Sequence, residues 1–181
     1  EVMRICVAAE ACVLILDRGY NSYWKLKRVT ISKELLKNER GVWAGWAGRR
    51  DVSLQWDAVL YGMKQGNDNH NIILHEFAHV LDQADDAQAQ SIPVHEGSVD
   101  RAKWEELLKR EYPRIKAAYK GRSTTIIDEY ALSSKAEFFS CATESFFERP
   151  KELKKYNSEI YDILKDYYGL DPLPWSRAEE K

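Results

Sequence analysis

The chain has 181 residues, of which 44% are hydrophobic and 31% charged, and carries a formal net charge of −2. That is enough chain for one domain with a sizeable core. The charge balance gives no electrostatic case for nucleic acid or an anionic membrane as partner, and the basic run Lys25-Leu26-Lys27-Arg28 is too short to change this. Cys6, Cys12 and Cys141 lack C-x-x-C or zinc-finger spacing and read as thiols in a reducing compartment.

Residues 2–16, rich in Ala, Leu and Val, predict a first helix, with Cys6 and Cys12 as small core residues. Glu10 interrupts this apolar run, Asp17-Arg18 follow without a small-residue cleavage pattern, and the run is too short to cross a bilayer. It therefore reads as neither a signal peptide nor a membrane span. The chain begins on Glu1 and enters this helix almost at once, so the expectation is a single domain, 1–181, lacking native N-terminal sequence.

Gly19 to Ser22 breaks the helix, and the alternation in Trp24 to Ser32 predicts a strand. Lys33 to Arg40 is polar and reads as a short helical turn. GVWAGWAG, 41–48, has three glycines and two tryptophans and reads as an irregular loop or bent hairpin. Val52, Leu54 and Trp56 alternate with polar residues in a half-buried strand, and 57–63 follows as a helical turn. A helix capped by Asn69 or Asn71 runs to about Ala84, before a polar loop over 85–97. Ser98 to Lys120 predicts a long helix burying Trp104, Leu107, Leu108, Tyr112, Ile115 and Tyr119. Further helices cover 135–148, stopped by Pro150, and 151–168, ended by Gly169. Early strands followed by helices make the fold class α+β.

Within the helix before Ala84 stands LHEFAHVLD, Leu74 to Asp82, in a chain with only four histidines. Positions i and i+4 share a helix face, so His75 and His79 can reach one ion, and Glu76 stands beside them as a general base. Zinc lowers the pKa of water to about 7, and the glutamate takes the proton and returns it to the leaving amine. Two imidazoles leave such a site one protein ligand short.

Three candidates compete for that place. A third histidine in H-E-x-x-H-x-x-G-x-x-H would need a glycine and a histidine where the chain has Asp82 and Asp85, so that class is excluded. Glu96, with Asp100 in E-x-x-x-D, would follow the thermolysin scheme, but it lies between Pro93 and Gly97, outside the predicted helix. Glu137 lies in DEYALSSKAEFFSCATESFFERP, where Glu137, Glu144 and Glu148 form one helical stripe. Such a stripe is commonly a solvated face. Tyr130, seven residues earlier, shifts the balance, because a phenol near zinc can donate to the oxyanion of a tetrahedral intermediate.

HEFAHVLD, DEYALSSKAEFF and ESFFERP together resemble the Mlc titration factor family of bacterial zinc peptidases, as do SLQWDAVLYG and AAEACVLIL. HEF-x-H-x-x-D and Tyr-x6-Glu-Phe-Phe are also similar to the catalytic domain of anthrax lethal factor. The resemblance implies a zincin-like α+β domain. It implies one Zn2+ held by His75, His79 and Glu137, with Glu76 as general base and Tyr130 stabilising the transition state. It also implies a cytoplasmic bacterial enzyme with aminopeptidase-type cleavage of peptide substrates. Lys135 stands where many members have proline. The family is named for sequestering a transcriptional repressor, so a regulatory binding protein with a secondary or vestigial zinc site is the alternative.

Around the site the sequence is less specific. Asp82, one turn beyond His79, reads either as a partner orienting an imidazole or as a surface acid, and Glu144 as a histidine partner or a structural acid. His70 and His95 read as loop residues. The edge of the strand at 52–56 is a candidate for pairing with an extended peptide, and Trp43 and Trp46 either wall the cleft or simply pack.

Overall fold

A computed structural model of the chain describes residues 1–38, 41–84 and 101–175. Glu96, Asp100 and His95, and the loop over 85–97, lie outside the described residues. The fold is α+β, with seven α-helices and small β-sheets among the described residues. The described chain forms two compact units, the first from Glu1–Gly66 and residues 70–84, the second from Asn67–Asn69 and residues 101–175.

The first unit opens with helix α1 (Val2–Val13), which buries Val7 and Ala11. Cys12 is exposed and Cys6 half-buried, so neither is the core residue expected: the helix turns only one face inward. Gly19, at φ 78, leads into a 3-10 turn over Tyr20–Tyr23. Strand β1 (Arg28–Ser32) is shorter than expected at its start, because Trp24 and Lys25 form a turn and Leu26 and Lys27 are irregular. The expected helical turn at 33–40 is instead strand β2 (Leu36–Asn38), paired antiparallel with β3 (Gly41–Trp43). Periodicity could not reveal a three-residue strand, whose stability comes from its partner.

Strand β4 (Gly45–Ala47) runs antiparallel to β5 (Asp51–Gln55), which also pairs in parallel with β1, giving the order β1-β5-β4. β5 is thus central, and both of its edges are taken. The edge expected to accept a peptide is not on this strand, and in this sheet the outer edges belong to β1 and β4. Val52 and Leu54 point into the core, while Trp56 has left the strand to begin α2 (Trp56–Lys64). Gln55 makes that switch: its Oε1 accepts from Ala58 N at 2.7 Å, and its Nε2 donates to Lys33 O. Helix α3 (Ile72–Ala84) lies against β4, β5, α1 and α2 and is buried on nearly every face. Tyr23 joins these layers, meeting Phe77 edge-on and donating to Ala11 O at 2.7 Å.

The second unit is helical. Helix α4 (Arg101–Ala118) buries Trp104, Leu107, Leu108 and Ile115, but Tyr119 lies beyond its end and is exposed, with its hydroxyl donating to Ile127 O. Helix α5 (Lys135–Glu148) is buried from Phe138 through Phe146. Phe139 and Phe146 pack against Tyr167 and Tyr168, and Trp104 and Tyr112 pack against Phe138. The expected last helix is two helices, α6 (Pro150–Tyr156) and α7 (Ser158–Tyr168). The break is Asn157, at φ −142 and ψ 58, whose buried amide donates to Glu111 Oε2 at 2.6 Å. Arg114 takes up the carbonyl of Tyr156 at 2.6 Å, so α4 supplies the polar partners that make the break tolerable. Gly169 closes α7 in the left-handed conformation.

Candidate metal centre

The metal motif is set on α3 by its cap. Asn71, not Asn69, is the cap residue: its Oδ1 accepts from Ile73 N at 3.1 Å and Leu74 N at 3.2 Å. The other end of the same amide donates to Glu10 Oε2 at 2.7 Å, so the charge that interrupts the apolar first helix holds the start of α3. Burial raises the pKa of the Glu10 carboxyl, against the smaller lowering effect of the Asn71 bond. Gly62 lets the cap approach, since a Cβ there would stand 3.0 Å from His70 O and 3.1 Å from Asn71 Cα.

One turn further on, the His75 and His79 rings meet edge to face with centroids 5.0 Å apart. A ring nitrogen of one lies within 4.8 Å of a ring nitrogen of the other, close enough for small torsional adjustment to bring both onto one ion. His75 is 9% exposed and Glu76 6%. Two convergent imidazoles with a carboxylate beside them suit zinc and other imidazole-binding divalent metals. Glu76 has a tightly fitted neighbour: a Cβ on Gly45 of β4 would fall 2.5 Å from its Oε1 and 2.6 Å from Ile72 Cδ1. Asp82 is buried rather than a surface acid.

In the second unit, Asp128 caps a 3-10 turn over Glu129–Leu132, its Oδ1 accepting from Tyr130 N at 2.7 Å. Ser133 Oγ donates to Tyr130 O at 2.7 Å, so the backbone of Tyr130 is fixed at both ends while its side chain is 54% exposed. Ser134 caps α5 by accepting from Glu137 N at 3.1 Å, which places Glu137 in the first turn, half-buried. The stripe is not a solvated face: Glu144 is 6% exposed, and Glu148 accepts from Asn69 N at 2.8 Å. Buried Cys141, one turn from Glu144, has its Sγ within 4.8 Å of a Glu144 carboxylate oxygen. Candidate metal ligands therefore occur in each unit.

Residues 1–169 match the family described as Glucose-regulated metallo-peptidase M90. The chain belongs to this family. The M90 chain is 31% identical over 188 residues to "Uncharacterized protein slr2042" of Synechocystis, covering 96% of this chain and 68% of that protein. It is 29% identical over 149 residues to Mlc titration factor A of Cronobacter sakazakii, covering 81% and 55%. Over 106 residues it is 33% identical to Mlc titration factor A of Edwardsiella ictaluri, covering 58% and 40%. The M90 chain is thus a member of the Mlc titration factor family, and spans about half the length of the titration factors it matches. Membership implies a metal. No helix among the described residues is long and apolar enough to cross a membrane.

Three residues of this region carry no motif of their own. Glu10 had a trace in the sequence as the one acid in an apolar run. Gly45 had one as a small residue between two tryptophans. Cys141 had none, since a cysteine in a helical apolar segment is usually packing.

Proposed function

We propose that this M90 chain is a cytoplasmic zinc-dependent peptidase with aminopeptidase-like action on small peptides, and that 1–181 act as one catalytic domain. The observation carrying this reading is Glu76, a nearly buried carboxylate beside two convergent imidazoles and backed by a strand that has glycine where a side chain would displace it. His75, His79 and Glu137 are the proposed ligands, with Asp82 and Glu144 as acids orienting them. Glu137 is supported by its motif and by its place in the first turn of α5, outside the sealed core that begins at Phe138.

Bound zinc would supply Lewis acidity toward water and the peptide carbonyl. Glu76 accepts the proton of the attacking water as its oxygen bonds to the carbonyl carbon. The same carboxyl then gives that proton to the nitrogen as the C–N bond breaks. Tyr130, with a fixed backbone and an accessible phenol, donates a hydrogen bond to the developing oxyanion. The outer edge of β4, the strand touching Glu76, offers main-chain groups to an extended substrate.

Zinc content and hydrolysis of a broad peptide library, measured for wild type and Glu76→Gln, test this. The variant is expected to keep zinc and lose hydrolysis by at least about a hundredfold. A wild type that holds zinc yet cleaves no peptide sinks the enzyme reading.

A second reading is favoured by the relatives named Mlc titration factor A. Here the chain binds a transcriptional repressor and the metal site is secondary. Binding to purified repressor that survives Glu76→Gln unchanged, in a chain without hydrolysis, would decide for it.

A further inference from the structure

On the basis of the peptidase reading above, we propose that Trp46 is the residue that selects the substrate. It favours a peptide with an aromatic side chain on the outer face of the sheet, next in sequence to the residue lying beside Glu76.

The pairing of β4 with β5 decides which main-chain groups face a substrate. Gly45 stands opposite Leu54, Trp46 opposite Ser53 and Ala47 opposite Val52. Gln55 N donates to Ala44 O at 2.7 Å, and Gly48 N donates to Asp51 O at 2.8 Å. Hydrogen-bonded pairs alternate along an antiparallel ladder, so Trp46 turns its main-chain groups toward Ser53, and Gly45 and Ala47 turn theirs toward the outer edge. Ala47 O accepts there from Gln83 Nε2 at 3.4 Å. An extended peptide added antiparallel to this edge exchanges both bonds with Gly45. Its next residue then meets Trp46 in a non-hydrogen-bonded pair, the arrangement in which side chains stand closest.

The faces of the sheet assign the two side chains. A Cβ on Gly45 would point at Glu76 and Ile72 of α3, so the peptide residue opposite Gly45 takes the face of the catalytic carboxylate. Trp46 lies on the other face, where the register sets it in line with Ser53 and Thr30. Thr30 is exposed and Ser53 half-buried, and Trp46 itself is 53% exposed, so no core draws the indole to this polar face. The ring is nonetheless held in place. A Cβ on Gly48 would fall 2.3 Å from Trp46 Cη2 and 2.8 Å from Cζ2, so the indole lies over a residue with no side chain to displace it. A flat apolar surface fixed beside a pairing edge favours an aromatic ring across from it, and offers little to alanine or glycine.

Alanine-rich hexapeptides with one phenylalanine walked through the sequence test this. Hydrolysis is followed with wild type, and binding of fluorescently labelled copies with Glu76→Gln, which needs no turnover. Phenylalanine is expected to raise kcat/KM and affinity at least about fivefold at the position facing Trp46, and not at its immediate neighbours. Trp46→Ala should shrink that discrimination to within about twofold, and Trp46→Phe should keep most of it. A purely structural role for the indole would lower all peptides alike. Peptides handled without a phenylalanine preference, or with one unchanged in Trp46→Ala, overturn the role of Trp46 and leave the peptidase reading standing. Trp46-dependent binding without hydrolysis by wild type sinks the peptidase reading and keeps the peptide site. Failure of Glu76→Gln to bind any of the peptides overturns the proposal.

Discussion

Gly45 and Glu76 share one space: a Cβ at position 45 would lie 2.5 Å from Glu76 Oε1, closer than non-bonded atoms tolerate. That oxygen is the end of a side chain, so Gly45→Ala is relieved mainly by moving the carboxylate. The same Cβ meets Ile72 Cδ1 at 2.6 Å, adding an overpacking cost of about 1–3 kcal/mol. The expected result is a folded variant that retains metal through its histidines but loses at least about tenfold in peptide hydrolysis. Metal content and turnover measured on the same preparation separate this from simple unfolding.

Glu10 and Asn71 make a pH-dependent clamp on the same helix. Burial raises the carboxyl pKa, so the folded state holds its proton more firmly than the unfolded chain. The resulting contribution is fully present below the unfolded pKa and is lost as pH rises through the raised folded value. Glu10→Gln mimics the protonated form, so wild type should lose stability relative to this variant as pH rises from about 4 to 7. Asn71→Ala, which removes the cap, should cost about 1 kcal/mol or more at every pH. Urea midpoints across that range check both.

Asp171 works in the opposite direction. Lys165 donates to its Oδ2 at 2.6 Å and Tyr161 to its Oδ1, and these bonds hold the carboxyl down at about 2. Burial raises the Tyr161 phenol, reinforced by its carboxylate partner. Because the folded pKa of Asp171 is depressed, its contribution exists above the unfolded carboxylate pKa and fades as pH falls toward about 2. Asp171→Asn should therefore destabilise at neutral pH and converge on wild type in acid. Solvent screening keeps the effect modest. The bond that the carboxylate accepts from Leu173 N–H at 3.1 Å can be kept by the asparagine oxygen, so the comparison isolates the charge. Thermal melts from pH 2 to pH 7 give the comparison.

The long elements were legible in the sequence because each carries its own evidence. α5 runs from Lys135 to Glu148, the bounds that its composition and the approaching Pro150 suggested, and the structure adds the Ser134 cap at its start. α3 was legible from asparagine and apolar spacing, together with the H-E-x-x-H pattern it bears. What escaped depends on partners distant in sequence. β2 exists because β3 pairs with it, and β5 lost its free edges because β1 and β4 flank it. The break at Asn157 depends on Glu111 and Arg114, more than forty residues earlier, which take up the polar groups of the interrupted helix. The H-E-x-x-H pattern of His75, Glu76 and His79 was legible from spacing alone, and the structure brings the two histidine rings together on one helix. The burial of Asp82 and Glu144 was not legible, because a carboxylate's surroundings are a property of the packed chain.

The third ligand yields the most discriminating experiment. If Glu137 completes the set, Glu137→Ala should lose most of its zinc affinity, and Glu96→Ala should keep it, because a two-histidine site lacks the usual third protein donor. Glu144→Gln should have an intermediate effect, weakening zinc by about 10–100-fold if this acid orients a ligating imidazole. Glu137→Asp gives a further control: it keeps the charge but shortens the reach by one methylene, so a ligand role predicts partial loss. Zinc titration against a chelator of known affinity orders the four variants. Retention in Glu137→Ala with loss in Glu96→Ala would move the site to the thermolysin arrangement. It would also leave α5 with a purely structural acid at its first turn, and that alternative predicts unchanged zinc binding together with altered helix stability.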